Sequence, residues 1–212
     1  MPPRTLRALL FDWDGTLWDS SEASFRSYSR LFASYGIPFD RERFEATYAP
    51  DWYATYRALG LPEDRWAEAD SRWMEEYARE EGRLLPGARE ALEKAQDLGF
   101  ALGLVTSGSR KRVLRELEGL GIRDRFRAVV CGEDVRQRKP HPEGLVKALL
   151  ALGTSPLECA YVGDSPEDVE MARAAGVLSV GVPGGFPNRA ALAASRPAVL
   201  AASLAEAVLA FV

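Results

Sequence analysis

From Gly87 to Val182 short apolar runs alternate with helix-length segments, and no other feature constrains the fold of this chain so tightly. The runs at 100–105, 128–131, 159–162 and 178–182 are long enough for buried strands and too short for stable helices. Between them the apolar spacing predicts helices at 88–98, 110–120, 142–152 and 166–175, stopped by or near Gly99, Gly121, Gly153 and Gly176. A last strand at 198–200 and a terminal helix, opened by Ser203 and Glu206 as a capping box, complete the series. Strands that alternate with helices at this spacing pair in parallel, and the helices cover both faces of their sheet.

An earlier apolar run at 8–11 belongs to the same sheet and ends in Asp12-Trp13-Asp14-Gly15. In an extended chain this spacing points Asp12 and Asp14 to one side and Trp13 to the other. Gly15 lets the chain turn away sharply. Two carboxylates at the end of a buried strand repel each other unless a proton or a cation sits between them. That end of an open α/β sheet is also where ligands bind. Later strands end in comparable polar groups. Thr106-Ser107-Gly108 precedes a helix, whose unpaired N–H groups suit an oxyanion. Lys139, held extended beside Pro140, is placed to neutralise a phosphate or shield a carboxylate cluster. Asp164 precedes Ser165, a helix cap with Pro166 in the first helical position, and Asp168 is spaced to complete a capping box. Gathered on one rim, these carboxylates, the lysine and the hydroxyl suit Mg²⁺ and a phosphate, because Mg²⁺ prefers hard oxygen ligands. His141, the single histidine, reads as a residue at a helix start, which leaves His–Ser and His–Cys mechanisms little to draw on.

The segment between the first two of these stretches reads as all helical. Ser20 or Ser21 caps a helix whose apolar positions run from Phe25 to Tyr35 and stop at Gly36. One or two helices follow at 40–59, interrupted near Pro50, and another at 62–81. All five tryptophans fall at or before Trp73, which implies a second, smaller core. The chain therefore reads as a catalytic domain of residues 1–18 and 84–212 with a helical insertion at 19–83. Cys131 and Cys159 lack metal-ligand spacing and read as buried thiols in a reducing cytoplasm. The first residues lead straight into a strand, leaving no room for a signal peptide, and no apolar stretch reaches the length of a membrane span. A net charge of −4 argues against nucleic acid or an anionic membrane as partner. The basic residues Arg110-Lys111-Arg112 and those at 123–127 are interrupted by Glu116, Glu118 and Asp124, and read as a solvated helix face. Oligomeric state is not legible.

With the four stretches in this order, the chain resembles the phosphatases of the haloacid dehalogenase superfamily, and among them the phosphoglycolate-phosphatase-like branch. Residues 11–17 match the first motif, Thr106 the second, Lys139 with Pro140 the third, and residues 163–168 the fourth. The resemblance implies a Rossmann-like α/β core with an inserted helical cap that closes over the substrate. It implies a hydrolase, a Mg²⁺-dependent phosphomonoesterase acting on a small phosphorylated metabolite. Asp12 would be the nucleophile that forms an aspartyl-phosphate, and Asp14 the general acid and then base. Mg²⁺ would be held by Asp12, the backbone carbonyl of Asp14, and Asp164, with Asp168 orienting them from behind. Thr106 and Lys139 would hold the phosphoryl oxygens, with Ser107 and Gly108 beside them as binding residues. Asp14 speaks against dehalogenase chemistry, which in this family lacks that aspartate. The first lysine is Lys94, outside the insertion, which speaks against a Schiff-base phosphonatase. Ser24 stands where mutases of the β-phosphoglucomutase type carry a histidine. Such a phosphomutase, or a non-catalytic binding protein on the same fold, remains the alternative. The segment 47–53 lies where such caps carry their specificity loop, but lacks the glycine often found in phosphoglycolate phosphatases. Trp52, Tyr53, Tyr56 and Arg57 are the cap candidates for substrate contact.

Overall fold

A computed structural model describes residues 6–48, 52–80 and 82–211. Residues up to Trp18 together with those from Leu84 onward form one compact unit, and Asp19–Arg83 form another.

In the first unit, β1 (Ala8–Phe11), β2 (Ala101–Val105), β3 (Phe126–Val130), β4 (Cys159–Gly163), β5 (Leu178–Gly181) and β6 (Val199–Leu200) make one sheet. Their order is β3-β2-β1-β4-β5-β6, and every pairing is parallel. This is the doubly wound, Rossmann-like α/β arrangement. The alternation of side chains along β1 shows how both faces fill. Leu9 and Phe11 enter a cluster with Ala91 and Leu92, Val113 and Leu117, and Leu204 and Val208. These belong to α5 (Ala88–Asp97), α6 (Arg110–Gly119) and α10 (Leu204–Leu209). Ala8 and Leu10 enter the opposite cluster with Leu145 and Leu149 of α7 (Glu143–Leu152) and Met171 and Ala172 of α8 (Pro166–Ala174). Each fully buried leucine in such a layer contributes on the order of 1.5–3 kcal/mol relative to exposure. Because β1 lies at the centre and its neighbours β2 and β4 lead in opposite directions, the strand order reverses beside it. A crevice at such a reversal, outside the carboxyl ends of the strands, is where this architecture takes ligands.

The elements depart from expectation in a few places. The edge strand β3 begins at Phe126, two residues before the apolar run suggested. Phe126 is buried while Arg127 faces solvent, so one exposed arginine on the edge hid the strand's first half. The helix α9 (Arg189–Ala194) had no counterpart in the sequence reading. Ser203 caps α10 by accepting from the N–H of Glu206, but the Glu206 carboxylate accepts from Ala202, so the box is not reciprocal. Cys131 and Cys159 are buried free thiols, and burial pushes both up to about 11. Among the described residues, no helix is long and apolar enough to cross a membrane.

The second unit contains α1 (Ser21–Ser34), α2 (Arg41–Thr47), α3 (Trp52–Ala58) and α4 (Trp66–Tyr77). Tyr28, Phe32, Phe44 and Tyr56 are buried at its centre. Phe32 lies 4.9 Å from Phe39 between ring centroids, and edge-on to Tyr56 at 6.0 Å. Arg30 pairs with Glu76 and Glu80, tying α1 to the end of α4. Ser20 occupies the N-cap position of α1 but does not cap it. Its backbone is helical rather than extended, so its hydroxyl cannot reach the open N–H groups.

Candidate active site

The site grows from the carboxyl end of β1. The N–H of Asp12 continues the ladder to Val162 at 2.9 Å, which holds the residue in line with the strand and buries its side chain. The chain then folds back through N–H bonds from Leu17 and Trp18 to the Trp13 carbonyl. Gly15 sits at φ +83°, and a Cβ there would lie 2.5 Å from Oδ2 of Asp164. Only glycine both adopts that dihedral readily and leaves room for the neighbouring carboxylate.

β4 and α8 bring in the second half. Asp164 is almost fully buried at the end of β4. Ser165 accepts from the N–H of Asp168, while Asp168 accepts from the N–H of Ser165, the reciprocal cap that the sequence implied. Oδ2 of Asp168 also accepts from the N–H of Asp164 and the hydroxyl of Ser165, and Oδ1 from the hydroxyl of Tyr161 and from Lys139. Four donors, and a share of the Tyr161 hydroxyl that also donates to the Val105 carbonyl at 2.9 Å, thus converge on this one carboxylate. With about four lone-pair directions available, its capacity is taken up inside the protein.

Lys139 bridges the two halves. Its ammonium donates to Oδ1 of Asp12 at 2.5 Å and to Oδ1 of Asp168 at 2.7 Å. The Lys139–Pro140 peptide bond is cis. Burial pulls the ammonium toward deprotonation, but the charges of Asp12 and Asp168 more than offset this, leaving its pKa raised. Burial raises Asp12 to about 7 despite Lys139, with Asp168 adding to the rise. Asp164 is raised well above the usual carboxylate range, again by burial first and then by Asp168 and Asp12.

The common cause of these shifts is that the carboxylates are buried close together. Asp12, Asp164 and Asp168 each offer an oxygen within 4.8 Å of the others, all three are buried, and one ammonium faces them. Among the described residues, the Asp164 carboxylate receives two long bonds, from the Thr16 hydroxyl at 3.3 Å and Asn188 Nδ2 at 3.4 Å. A hard divalent cation fits this donor set, with Asp12 and Asp164 able to give oxygens and Asp168 saturated behind them.

Asp14 lies two residues past Asp12, in the turn that follows β1. Its carboxylate is drawn to Arg112 of α6, which donates to both its oxygens, at 3.0 and 2.5 Å. Arg112 also pairs with Glu116, one helical turn on. The basic stretch at the start of α6 is therefore not a uniformly solvated face: Arg112 is largely buried against the Asp14 carboxylate. Arg110, more exposed, pairs with Asp134.

At the end of β2, Thr106 is buried and its hydroxyl accepts from the N–H of Gly108 at 3.0 Å. Ser107 is half-buried beside it. His141 sits ahead of α7, where Nδ1 accepts from the N–H of Glu143 at 3.3 Å. In the helical unit Tyr56 is a core residue, 1% exposed, with its hydroxyl on Asp70 at 3.2 Å, which corrects its candidacy for substrate contact. Tyr53 donates to the same carboxylate at 2.8 Å and stacks on Trp66. Trp52 is half-buried, while Arg57 is exposed over the Trp66 ring. Ala49, Pro50 and Asp51 of the expected specificity loop lie outside the described residues. Sequence reasoning missed Arg112, Tyr161, Thr16 and Asn188. Tyr161 carried a signal, as a polar-tipped residue inside a buried strand close to Asp164, whereas Asn188 carried none.

Gly163 offers a direct check on this packing. A Cβ there would lie 2.4 Å from Cγ of Asp168, a side chain that its hydrogen bonds to Lys139, Asp164 and Ser165 prevent from swinging aside. Gly163→Ala is expected to cost about 1–3 kcal/mol of stability, as overpacking does, read as a lower denaturant midpoint with an unchanged slope.

A parallel sheet with acidic groups and a lysine gathered at its strand ends, and a helical unit inserted after the first strand, defines a class of doubly wound hydrolases. The family model described as haloacid dehalogenase-like hydrolase matches residues 9–182. The chain belongs to that family. It is 32% identical to a phosphoglycolate phosphatase of Salmonella paratyphi A, over 93% of this chain and 89% of the relative. It is also 32% identical to the pyrophosphatase PpaX of Bacillus pumilus, over 93% and 92%. Among solved structures, CbbY from Rhodobacter sphaeroides in complex with phosphate superposes with a TM-score of 0.74 at 27% identity, covering 95% of this chain and 96% of that one.

Proposed function

We propose that the chain is a Mg²⁺-dependent phosphatase that hydrolyses a small phosphorylated metabolite through an aspartyl-phosphate on Asp12. The observation that carries this reading is the buried carboxylate of Asp12 at the end of β1, paired with Lys139 and grouped with Asp164 and Asp168. Asp12 attacks phosphorus, and the bond to the leaving oxygen breaks as the new P–O bond forms. Asp14 protonates that oxygen and later takes a proton from the water that releases phosphate, help typically worth about 10²–10⁴-fold. Lys139 offsets the repulsion between an anionic nucleophile and an anionic phosphoryl group. Thr106, Ser107 and Gly108 hold phosphoryl oxygens, which requires the Gly108 N–H to exchange its bond to Thr106 for one to the substrate. Bound at Asp12, Asp164 and the backbone carbonyl of Asp14, Mg²⁺ would supply the remaining charge neutralisation. Phosphoryl transfer depends chiefly on such positioning and neutralisation. In the helical unit, Trp52 and Arg57 are the residues we assign to substrate contact.

The relatives named for phosphoglycolate and pyrophosphate, and the neighbour crystallised with phosphate, support a small anionic substrate. The test is a panel of phosphorylated metabolites, led by phosphoglycolate and pyrophosphate, with Mg²⁺ and with a chelator. Release of inorganic phosphate from at least one, lost on chelation, is the expected result. No release from any member under either condition would refute the proposal.

A further inference from the structure

We infer that Arg112 is a positioning residue for Asp14, fixing the acid–base carboxylate relative to the helix that follows the phosphate-binding loop. The inference rests on the phosphatase reading above, since it assigns Arg112 its role through the proton-transferring group.

Four side chains form a staple. Trp13 Nε1 donates to Oε2 of Glu116 at 2.7 Å, and Glu116 accepts from Nη1 of Arg112 at 3.1 Å. Arg112 then forks onto both oxygens of Asp14. Trp13 and Asp14 are adjacent in the turn after β1, while Arg112 and Glu116 are one turn apart on α6, so two neighbouring residues grip two neighbouring residues. The side chains of Arg112 and Glu116 are 14% and 7% exposed, against 27% for Asp14. An exposed pair at this helical spacing stabilises by only a few tenths of a kcal/mol. Here the pair is shielded from water and shared with a third group. The planar guanidinium fixes both carboxylate oxygens at once, as an ammonium would not. Gly108 makes room for this arrangement, because a Cβ there would lie 2.4 Å from Nη2 of Arg112.

The chemistry supplies the need. Asp14 has to present one oxygen to the leaving group while its other oxygen stays fixed. The Arg112 fork sets the direction of both oxygens, and one of its two bonds opens when the carboxyl carries the proton that it passes on. The same staple ties the turn after β1 to the helix that follows Thr106-Ser107-Gly108, fixing the acid–base group relative to the phosphate-binding loop.

Leaving-group dependence separates positioning from mere structure, because an aryl phosphate departs without a proton and an alkyl phosphate does not. Arg112→Met is expected to lower kcat on an alkyl phosphate by about 10²-fold, the usual cost of misplacing a reacting group by an ångström. On p-nitrophenyl phosphate the loss stays under about tenfold, with KM for either ester little changed. Arg112→Lys, which keeps charge but not the fork, recovers only part of the alkyl rate. If Arg112→Met does not fold, Glu116→Gln, which retains an acceptor for Trp13, is expected to show the same alkyl-selective loss at smaller size. Equal losses on both esters, full rescue by lysine, or no loss would each overturn the inference while leaving the phosphatase reading intact. The alkyl phosphate is a member of the metabolite panel that the wild type hydrolyses, and failure of the wild type on every member of that panel would instead overturn the phosphatase reading and the inference with it.

Discussion

Asp12→Asn is expected to lower hydrolysis of every phosphate ester by about 10⁴-fold or more, the scale on which removing a covalent nucleophile acts. The amide keeps the shape of the carboxylate and an oxygen able to accept from Lys139, but it has neither the charge nor the basicity to attack phosphorus. Stability is expected to move the other way. In the absence of a divalent cation, burial holds Asp12 at about 7 rather than 3.8, so above pH 7 the folded protein keeps a charge it would rather not have. A neutral asparagine removes that penalty, and one pKa unit corresponds to about 1.4 kcal/mol. The denaturant midpoint of metal-free Asp12→Asn should therefore match or exceed that of the wild type above pH 7. Inactivity combined with undiminished stability cannot be ascribed to misfolding. Retained turnover would show that another group attacks phosphorus.

Much of this site was legible because its parts are local in the chain. Asp12, Thr106 and Asp164 each follow an apolar run, and a parallel sheet necessarily brings such ends to one rim. The Ser165–Asp168 cap was readable from spacing alone, and so was the start of α7 beside His141. What escaped was set by contacts between distant segments. Arg112 with Glu116 looks in sequence like any surface pair at helical spacing, and only the fold of the turn after β1 brings Asp14 to it. Asn188, at the N-cap position of α9, reaches Asp164 through a contact that its own segment does not announce. Tyr56 is a contact candidate by its place beside the expected specificity loop, but its ring fills the core of the helical unit and its hydroxyl is drawn to Asp70.

Lys139→Met is the substitution expected to damage folding and activity together. Among the described residues, Lys139 is the cation in direct contact with both Asp12 and Asp168. Methionine fills the space of the stem and leaves two buried carboxylates without their counter-charge, a loss of about 3–5 kcal/mol for a broken buried pair. Activity should fall by about 10²–10³-fold, the usual effect of deleting one charge-stabilising donor. The pH dependence identifies the cause. Already in the wild type, between pH 3.8 and about 7, the folded protein holds a proton on Asp12 that the unfolded chain has released. A folded state that binds more protons loses stability as pH rises. Without Lys139 the raised carboxylates rise further and the window extends upward, so the variant's deficit is largest above pH 7 and shrinks toward about pH 5. Added Mg²⁺ should recover part of the midpoint above pH 7, because a ligand that binds only the folded state stabilises it. A deficit that stayed constant across this range, and ignored Mg²⁺, would mean that Lys139 acts by packing, and that the charge at the end of β1 is balanced by some other group.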